Sequence, residues 1–156
     1  MKHHFPSVSS VKGDEDAVIE RALSILEERM RRPAFGTPDT AKDYCRLQLG
    51  ELDHEVFGVI FLDAQNRLIE FRRMFTGTQT QANVYPREIV KAVLEVKAGA
   101  VILTHNHPGG TVMPSRADQV LTQTLKSALA LVDVRVMDHV VVSASDTYSF
   151  AERGLL

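Results

Sequence analysis

Two uninterrupted apolar runs constrain this chain more than any other feature. Val56-Phe57-Gly58-Val59-Ile60-Phe61-Leu62 and Ala100-Val101-Ile102-Leu103 are continuous rather than alternating, and each is bounded by turn or polar signals. A strand that is apolar at every position needs cover on both faces, so these runs read as interior strands of a sheet. The first is followed by Asp63-Ala64-Gln65-Asn66-Arg67, a turn, and Leu68 to about Thr76 reads as its hairpin partner.

The second run delivers the chemistry. It continues as Thr104-His105-Asn106-His107-Pro108-Gly109-Gly110, and Pro114-Ser115-Arg116-Ala117-Asp118 follows. Residues two apart on a strand share a face, so His105 and His107 can approach one metal ion together. Asp118 returns at the start of the next element as a third ligand. Two imidazoles and one carboxylate suit zinc, and three protein ligands leave a fourth tetrahedral position for water. Two plainer readings stand beside this one. A His-x-His pair on its own is common, and Ser115-x-x-Asp118 is also the pattern of a helix capping box.

The remaining pattern is helical. Ile19, Ala22, Leu23, Leu26 and Met30 have helical spacing, which predicts a helix from Asp14 to about Arg32 after a loose tail over 1–13, with Pro33 ending it. Thr37-Pro38 reads as the N-cap and first position of a helix reaching about Leu49. Pro86 starts another, with Ile89, Val90, Val93 and Leu94 inward and Gly99 near its stop. A helix from Ser115 places Leu121, Leu125, Ala128, Leu129 and Val132 on one stripe. Val134–Val142 and a short Tyr148–Phe150 complete the strands. The expected class is α/β (α+β), a mixed sheet flanked by helices.

Composition excludes several classes. The 156 residues are 44% hydrophobic and 24% charged, as in ordinary globular chains, and no apolar run approaches the length of a membrane span. The start lacks an apolar signal segment, so cytoplasmic residence is the default expectation. One cysteine, Cys45, excludes zinc sites built on cysteine pairs, and reads as a buried small residue. A net charge of −2 argues against a dedicated duplex-binding surface, although local nucleic-acid contact stays possible. Arg29-Met30-Arg31-Arg32 suits a helix C-terminus, and Arg72-Arg73 reads as projecting from a strand into solvent. Asp138, counted on one strand face with Val134, Val136, Val140 and Val142, must be paired. His139 falls on the opposite face and reads as structural, while His3, His4 and His54 read as surface residues.

A zinc-activated water also needs a base; among Glu51, Asp53, Glu55, Asp63, Glu70 and Glu88, Glu55 stands out because it begins the first apolar run. Its plain alternative is a solvated strand end. Taken together, Glu55, His105-Asn106-His107-Pro108 and Ser115-x-x-Asp118 resemble the JAMM motif of JAB/MPN metalloproteases. Within that superfamily the chain is similar to the RadC-like family. The segments that carry this likeness are Phe61-Leu62-Asp63, Gly77-Thr78, Val84-Tyr85-Pro86-Arg87-Glu88, Met137-Asp138-His139 and Ser149-Phe150-Ala151-Glu152-Arg153-Gly154-Leu155-Leu156.

The resemblance implies a JAB/MPN-like, cytidine-deaminase-like architecture. It implies a RadC-like domain over 37–156 with an N-terminal tail and helix over 1–36, a short single-domain form without the helix-hairpin-helix-like region of longer members. It further implies one zinc ion per chain on His105, His107 and Asp118, Glu55 as general base, Ser115 as oxyanion support, and a protein or peptide substrate. Each histidine is expected to donate its second ring N–H to a carbonyl or carboxylate, with Asp138 a candidate partner. A DNA-processing accessory role and a non-catalytic zinc-stabilised interaction module are the alternatives. Gly109 stands where the family usually has serine.

Overall fold

The computed structural model describes residues 8–32, 38–77 and 83–156. The helices are α1 (Val8–Met30), α2 (Pro38–Leu49), α3 (Pro86–Val96) and α4 (Arg116–Ala130), and the strands are β1 (Val56–Leu62), β2 (Leu68–Thr76), β3 (Ala100–Asn106), β4 (Arg135–Val142) and β5 (Thr147–Ser149). They form a mixed five-stranded sheet in the order β2-β1-β3-β4-β5, in which only β3 and β4 run parallel. This is the expected α+β class. The two apolar runs are neighbouring interior strands, antiparallel, with Phe57 opposite His105 and Leu62 opposite Ala100.

Both faces of those strands are covered, which is why they are apolar throughout. Val56, Ile60, Leu62, Ala100 and Ile102 pack with Met30 of α1 and with Ala41, Tyr44, Cys45 and Leu49 of α2. Phe57, Val59, Phe61, Val101 and Leu103 pack with Ile89 and Val93 of α3 and with Leu125 and Leu129 of α4. Gly58 faces α2. A Cβ there would lie 2.6 Å from the Phe71 ring, so the glycine makes room for the aromatic of the adjacent strand. The Asp63–Arg67 turn closes on the Asp63 carboxylate, which accepts the N–H groups of Gln65 and Arg67.

Several boundaries and faces differ from the sequence reading. α1 begins at Val8, within the stretch read as a tail, and no acidic residue lies in its first turn. One interior glycine, Gly13, costs a helix only about 1 kcal/mol, too little to end it. The Pro33 stop and the Thr37 cap lie outside the described residues. α3 ends at Val96 because Lys97 adopts the left-handed conformation, φ 58°, and its N–H and that of Ala98 turn back to Leu94 and Val93. Gly99 serves instead where a Cβ would sit 3.2 Å from Ala64 backbone. Leu94, read as inward, is exposed. Arg72 does not simply project into solvent. It is held by Glu70 and Glu95 with its guanidinium 5.6 Å from the Phe61 ring centre.

The largest difference is in β4. Val101 pairs with Val136 but Ile102 pairs with Asp138, so one extra residue interrupts the alternation. Val134 and Val136 therefore pack on the α3/α4 face, whereas Val140 and Val142 pack on the α2 face. Asp138 does not share a face with all four valines, because the bulge changes the parity midway.

Candidate metal centre

The site lies where β3 ends and α4 begins. His105 is the penultimate residue of β3 and is 1% exposed, its ring stacked on Phe57 with centroids 6.2 Å apart. His107 follows the strand. Its N–H bonds the Val142 carbonyl at 2.9 Å, and its ring Nδ1 donates to the Thr111 carbonyl at 2.8 Å. A carbonyl only accepts, so His107 Nδ1 carries the proton and Nε2 the lone pair.

Asp118 comes from the first turn of α4. Ser115 is the N-cap: its Oγ accepts the Asp118 N–H at 3.0 Å, and Asp118 Oδ2 accepts the Ser115 N–H at 2.7 Å. The capping box is real, and the same reciprocal bonds aim the carboxylate at the histidines. His105 Nε2 lies 3.0 Å from His107 Nε2 and 3.4 Å from Asp118 Oδ1, and His107 Nε2 lies 3.5 Å from Asp118 Oδ2. Tetrahedral zinc with bonds of about 2.0–2.2 Å has ligand–ligand edges of about 3.3–3.6 Å. The three side chains lie close to that spacing, the His–His edge being shorter, and among the described residues they form a group that could hold a metal.

Electrostatics agree with a cation site. Burial works to raise the Asp118 pKa, yet the neighbouring His105 and His107 rings, with the Ser115 N–H, outweigh it and hold the carboxyl well below the usual carboxylate range. The Asp118 carboxylate favours the charged form of His107 and raises its pKa against the opposing effect of burial.

A cavity of about 540 Å³ opens over these atoms. Glu55 and Ser115 line it together with His105, His107 and Asp118, and Asn83, Val84 and Leu121 form part of its wall. All five residues singled out from the sequence therefore face one space. Glu55 precedes β1, and its carbonyl accepts the Gly77 N–H at 2.8 Å.

Three residues to which the sequence reading gave no part in the site complete the surroundings. Asn106, between the two histidines, faces the other side of the sheet. Its Oδ1 accepts the Val56 N–H at 2.7 Å and its Nδ2 donates to the carbonyls of His54 at 2.9 Å and Leu52 at 3.4 Å. It clamps the segment that carries Glu55. His139 and Thr122 are fully buried beneath His105: His139 Nε2 is 2.8 Å from His105 Nδ1, and His139 Nδ1 is 2.6 Å from Thr122 Oγ1. Burial and then the neighbouring His105 lower the His139 pKa well below its ordinary value.

The expectation of a carbonyl or carboxylate behind each ligand thus holds for His107 and fails for His105, whose partner is another imidazole. Asp138 is not that partner. It is bound by Ser149 Oγ at 2.6 Å and by the N–H groups of His139 and Ala151 at 2.7 and 3.0 Å, and burial raises its pKa. Parity held the available signals: His139 has the strand parity of His105 once the bulge is counted, and Thr122 lies one helical turn after Asp118. Of the remaining histidines, His54 is exposed at its ring beside Asp53, and His3 and His4 lie outside the described residues.

A His-His-Asp group that could hold a metal, at the end of β3 and the start of α4 in a mixed sheet covered on both faces, fits a JAB-type domain. The RadC-like JAB domain model matches residues 35–155, and the chain belongs to that family. Its relatives carry the name UPF0758 protein. That of Leptothrix cholodnii is 56% identical over 146 residues, covering 93% of this chain and 66% of the relative. That of Variovorax paradoxus is 55% identical over 141 residues, covering 90% and 63%. That of Vibrio cholerae is 54% identical over 143 residues, covering 91% and 90%. The chain thus spans under two thirds of the Variovorax relative and nearly the whole of the Vibrio one. Among the described residues no helix is long and apolar enough to cross a membrane.

Proposed function

We propose that this chain is a zinc-dependent hydrolase that cleaves an amide bond in a protein or peptide, as a peptidase or isopeptidase. The observation that carries the reading is the convergence of His105 Nε2, His107 Nε2 and the Asp118 carboxylate, each 3.0–3.5 Å from the next, in a cavity that Glu55 and Ser115 also line. Zinc held there would supply a Lewis acid and bring the pKa of a water toward neutrality. Glu55 would be the base that takes a proton from the attacking water and returns it to the departing amine. The Ser115 hydroxyl accepts from the Asp118 N–H, which leaves its own hydrogen to donate to the oxygen of the carbonyl under attack. Leu121 and Val84 give the cavity an apolar wall on which a substrate side chain can rest.

The charge balance offers no comparable support for a nucleic-acid substrate. The test is Glu55→Gln in the full chain. Metal analysis is expected to give one zinc per chain in both proteins, with turnover lower by about 10²–10⁴-fold in the variant. Substrates are found as proteins that accumulate uncleaved in cells carrying Glu55→Gln. A variant that retains zinc and full turnover overturns the assignment of Glu55, and a wild-type chain that takes up no zinc overturns the hydrolase reading.

A further inference from the structure

We propose that Thr122 and His139 are positioning residues that fix His105 in the one tautomer able to ligate metal. This inference rests on the metal reading of the triad. Its basis is the direction that hydrogen bonding imposes on a buried chain of groups.

The chain is polarised from one end. Thr122 Oγ1 lies 2.7 Å from the carbonyl of Asp118, four residues earlier in α4, the ordinary back-bond of a threonine inside a helix. A carbonyl has no hydrogen to give, so the Thr122 hydroxyl must donate there. Its oxygen then acts as acceptor toward His139, and the 2.6 Å contact requires the proton on His139 Nδ1. The other nitrogen of that neutral ring, Nε2, presents a lone pair to His105 Nδ1 at 2.8 Å. His105 must therefore carry its proton on Nδ1, which leaves the Nε2 lone pair facing His107 and Asp118.

A threonine on a helix thereby sets the state of a ligand on a strand, through one intervening imidazole. The surroundings hold the rings in these positions. His139 is fully buried, and Phe150 stacks on its ring with centroids 4.7 Å apart and an interplanar angle of 24°, while Phe57 packs edge-on at 5.6 Å. The rings cannot turn to find other partners without disturbing this aromatic packing. The path also closes on the site: it starts at the backbone of Asp118 and ends at the histidine that faces the Asp118 carboxylate. One stretch of α4 thus places a ligand directly and orients a second indirectly.

The test reads ring protonation in the metal-free full chain by long-range ¹H–¹⁵N correlation at a pH of about 9, above the ordinary imidazole range. His105 and His139 are both expected to be protonated at Nδ1 and bare at Nε2. A wild-type His105 protonated at Nε2 overturns the inference without any variant. Thr122→Val keeps the branched shape and removes the hydroxyl. It is expected to give mixed His105 tautomers and to weaken zinc binding, measured by chelator competition, by about 10–100-fold. Thr122→Ser is expected to restore both. A folded Thr122→Val chain with wild-type tautomer and affinity overturns the inference.

His139→Gln gives an independent comparison, because its amide can accept from His105 and donate to Thr122 as the imidazole does. It should bind zinc more tightly than His139→Leu, and the opposite order counts against the proposal. A wild-type chain with His105 protonated at Nδ1 that takes up no zinc overturns the metal reading and leaves the tautomer assignment supported.

Discussion

The two faces of β3 use buried polar groups for different ends. On the α2 face, Thr104 donates to the Val140 carbonyl and Asn106 ties down Leu52, His54 and Val56. Asp138, on the same side of β4, gathers Ser149 and two backbone N–H groups. Each of these side chains meets main chain or a local hydroxyl, and together they hold loops and termini. On the α4 face, Thr122, His139, His105 and Asp118 form a path that leads to atoms facing an open cavity. The difference lies in where the hydrogen bonds finish. One set is closed within the protein. The other leaves lone pairs and a carboxylate gathered at one point, and such a point suits a cation.

The comparison breaks most visibly at Asn106, which belongs to the closed face by contact and to the site by consequence. Asn106→Ala leaves the Val56 N–H and the His54 carbonyl without their partner in a buried region, at a cost of about 1–3 kcal/mol per unsatisfied group. Thermal unfolding should drop by several degrees, since each kcal/mol is worth about 2–4 °C in a domain of this size. The triad does not touch the Asn106 amide, so zinc affinity should stay near wild type while turnover falls with the displacement of Glu55. Loss of zinc in a folded Asn106→Ala chain would show that the two faces are not separable in this way.

A subtler break comes from pH acting on the metal-free chain. The folded pKa of His107 is raised, so its contribution is complete below the ordinary imidazole value near 6.5 and disappears as pH climbs through the raised value. The folded pKa of His139 is lowered by burial. The unfolded chain therefore binds more protons below about 6.5, and stability falls as pH drops there. The two opposing slopes meet near the ordinary imidazole pKa, so these two groups together contribute a maximum near about pH 6.5 to the stability of the metal-free protein. Zinc binds the unprotonated rings, so saturating zinc should move that maximum upward. Denaturant titrations across pH 5–9 with and without zinc check this. The same maximum in both series would refute the coupling of these histidines to metal.

How far the sequence reveals all this follows from the range of each signal. The interior strands were legible because a residue run buried on both faces has a composition of its own. The triad was legible because strand parity and a helix-opening Ser-x-x-Asp fix directions over short distances. The β4 bulge was not, since one extra residue between Val136 and Asp138 changes no residue type and yet reverses which valines share a face with Asp138. His139 was placed on the correct face and still read as a structural residue. It became the partner of His105 only when β3 and β4 lay side by side. Asn106 was hidden for a related reason: the middle residue of His-x-His points away from the site, and its role depends on a strand some fifty residues earlier coming alongside.

The smallest expected effect concerns Gly109, where the family pattern has serine. An added Cβ at Gly109 meets nothing within 4 Å, and the positive φ in this loop belongs to its neighbour Gly110, at 92°. Neither space nor backbone conformation requires glycine at 109, and neither bond that orients His107 passes through it. Gly109→Ser should thus change stability by no more than about 0.5 kcal/mol, as for a surface substitution away from special features, and leave zinc affinity unchanged. The loop stands beside the mouth of the site, so a change confined to KM would assign this position to substrate contact. A loss of zinc or of folding stability in Gly109→Ser would instead mean that the loop is held more tightly than its open surroundings indicate.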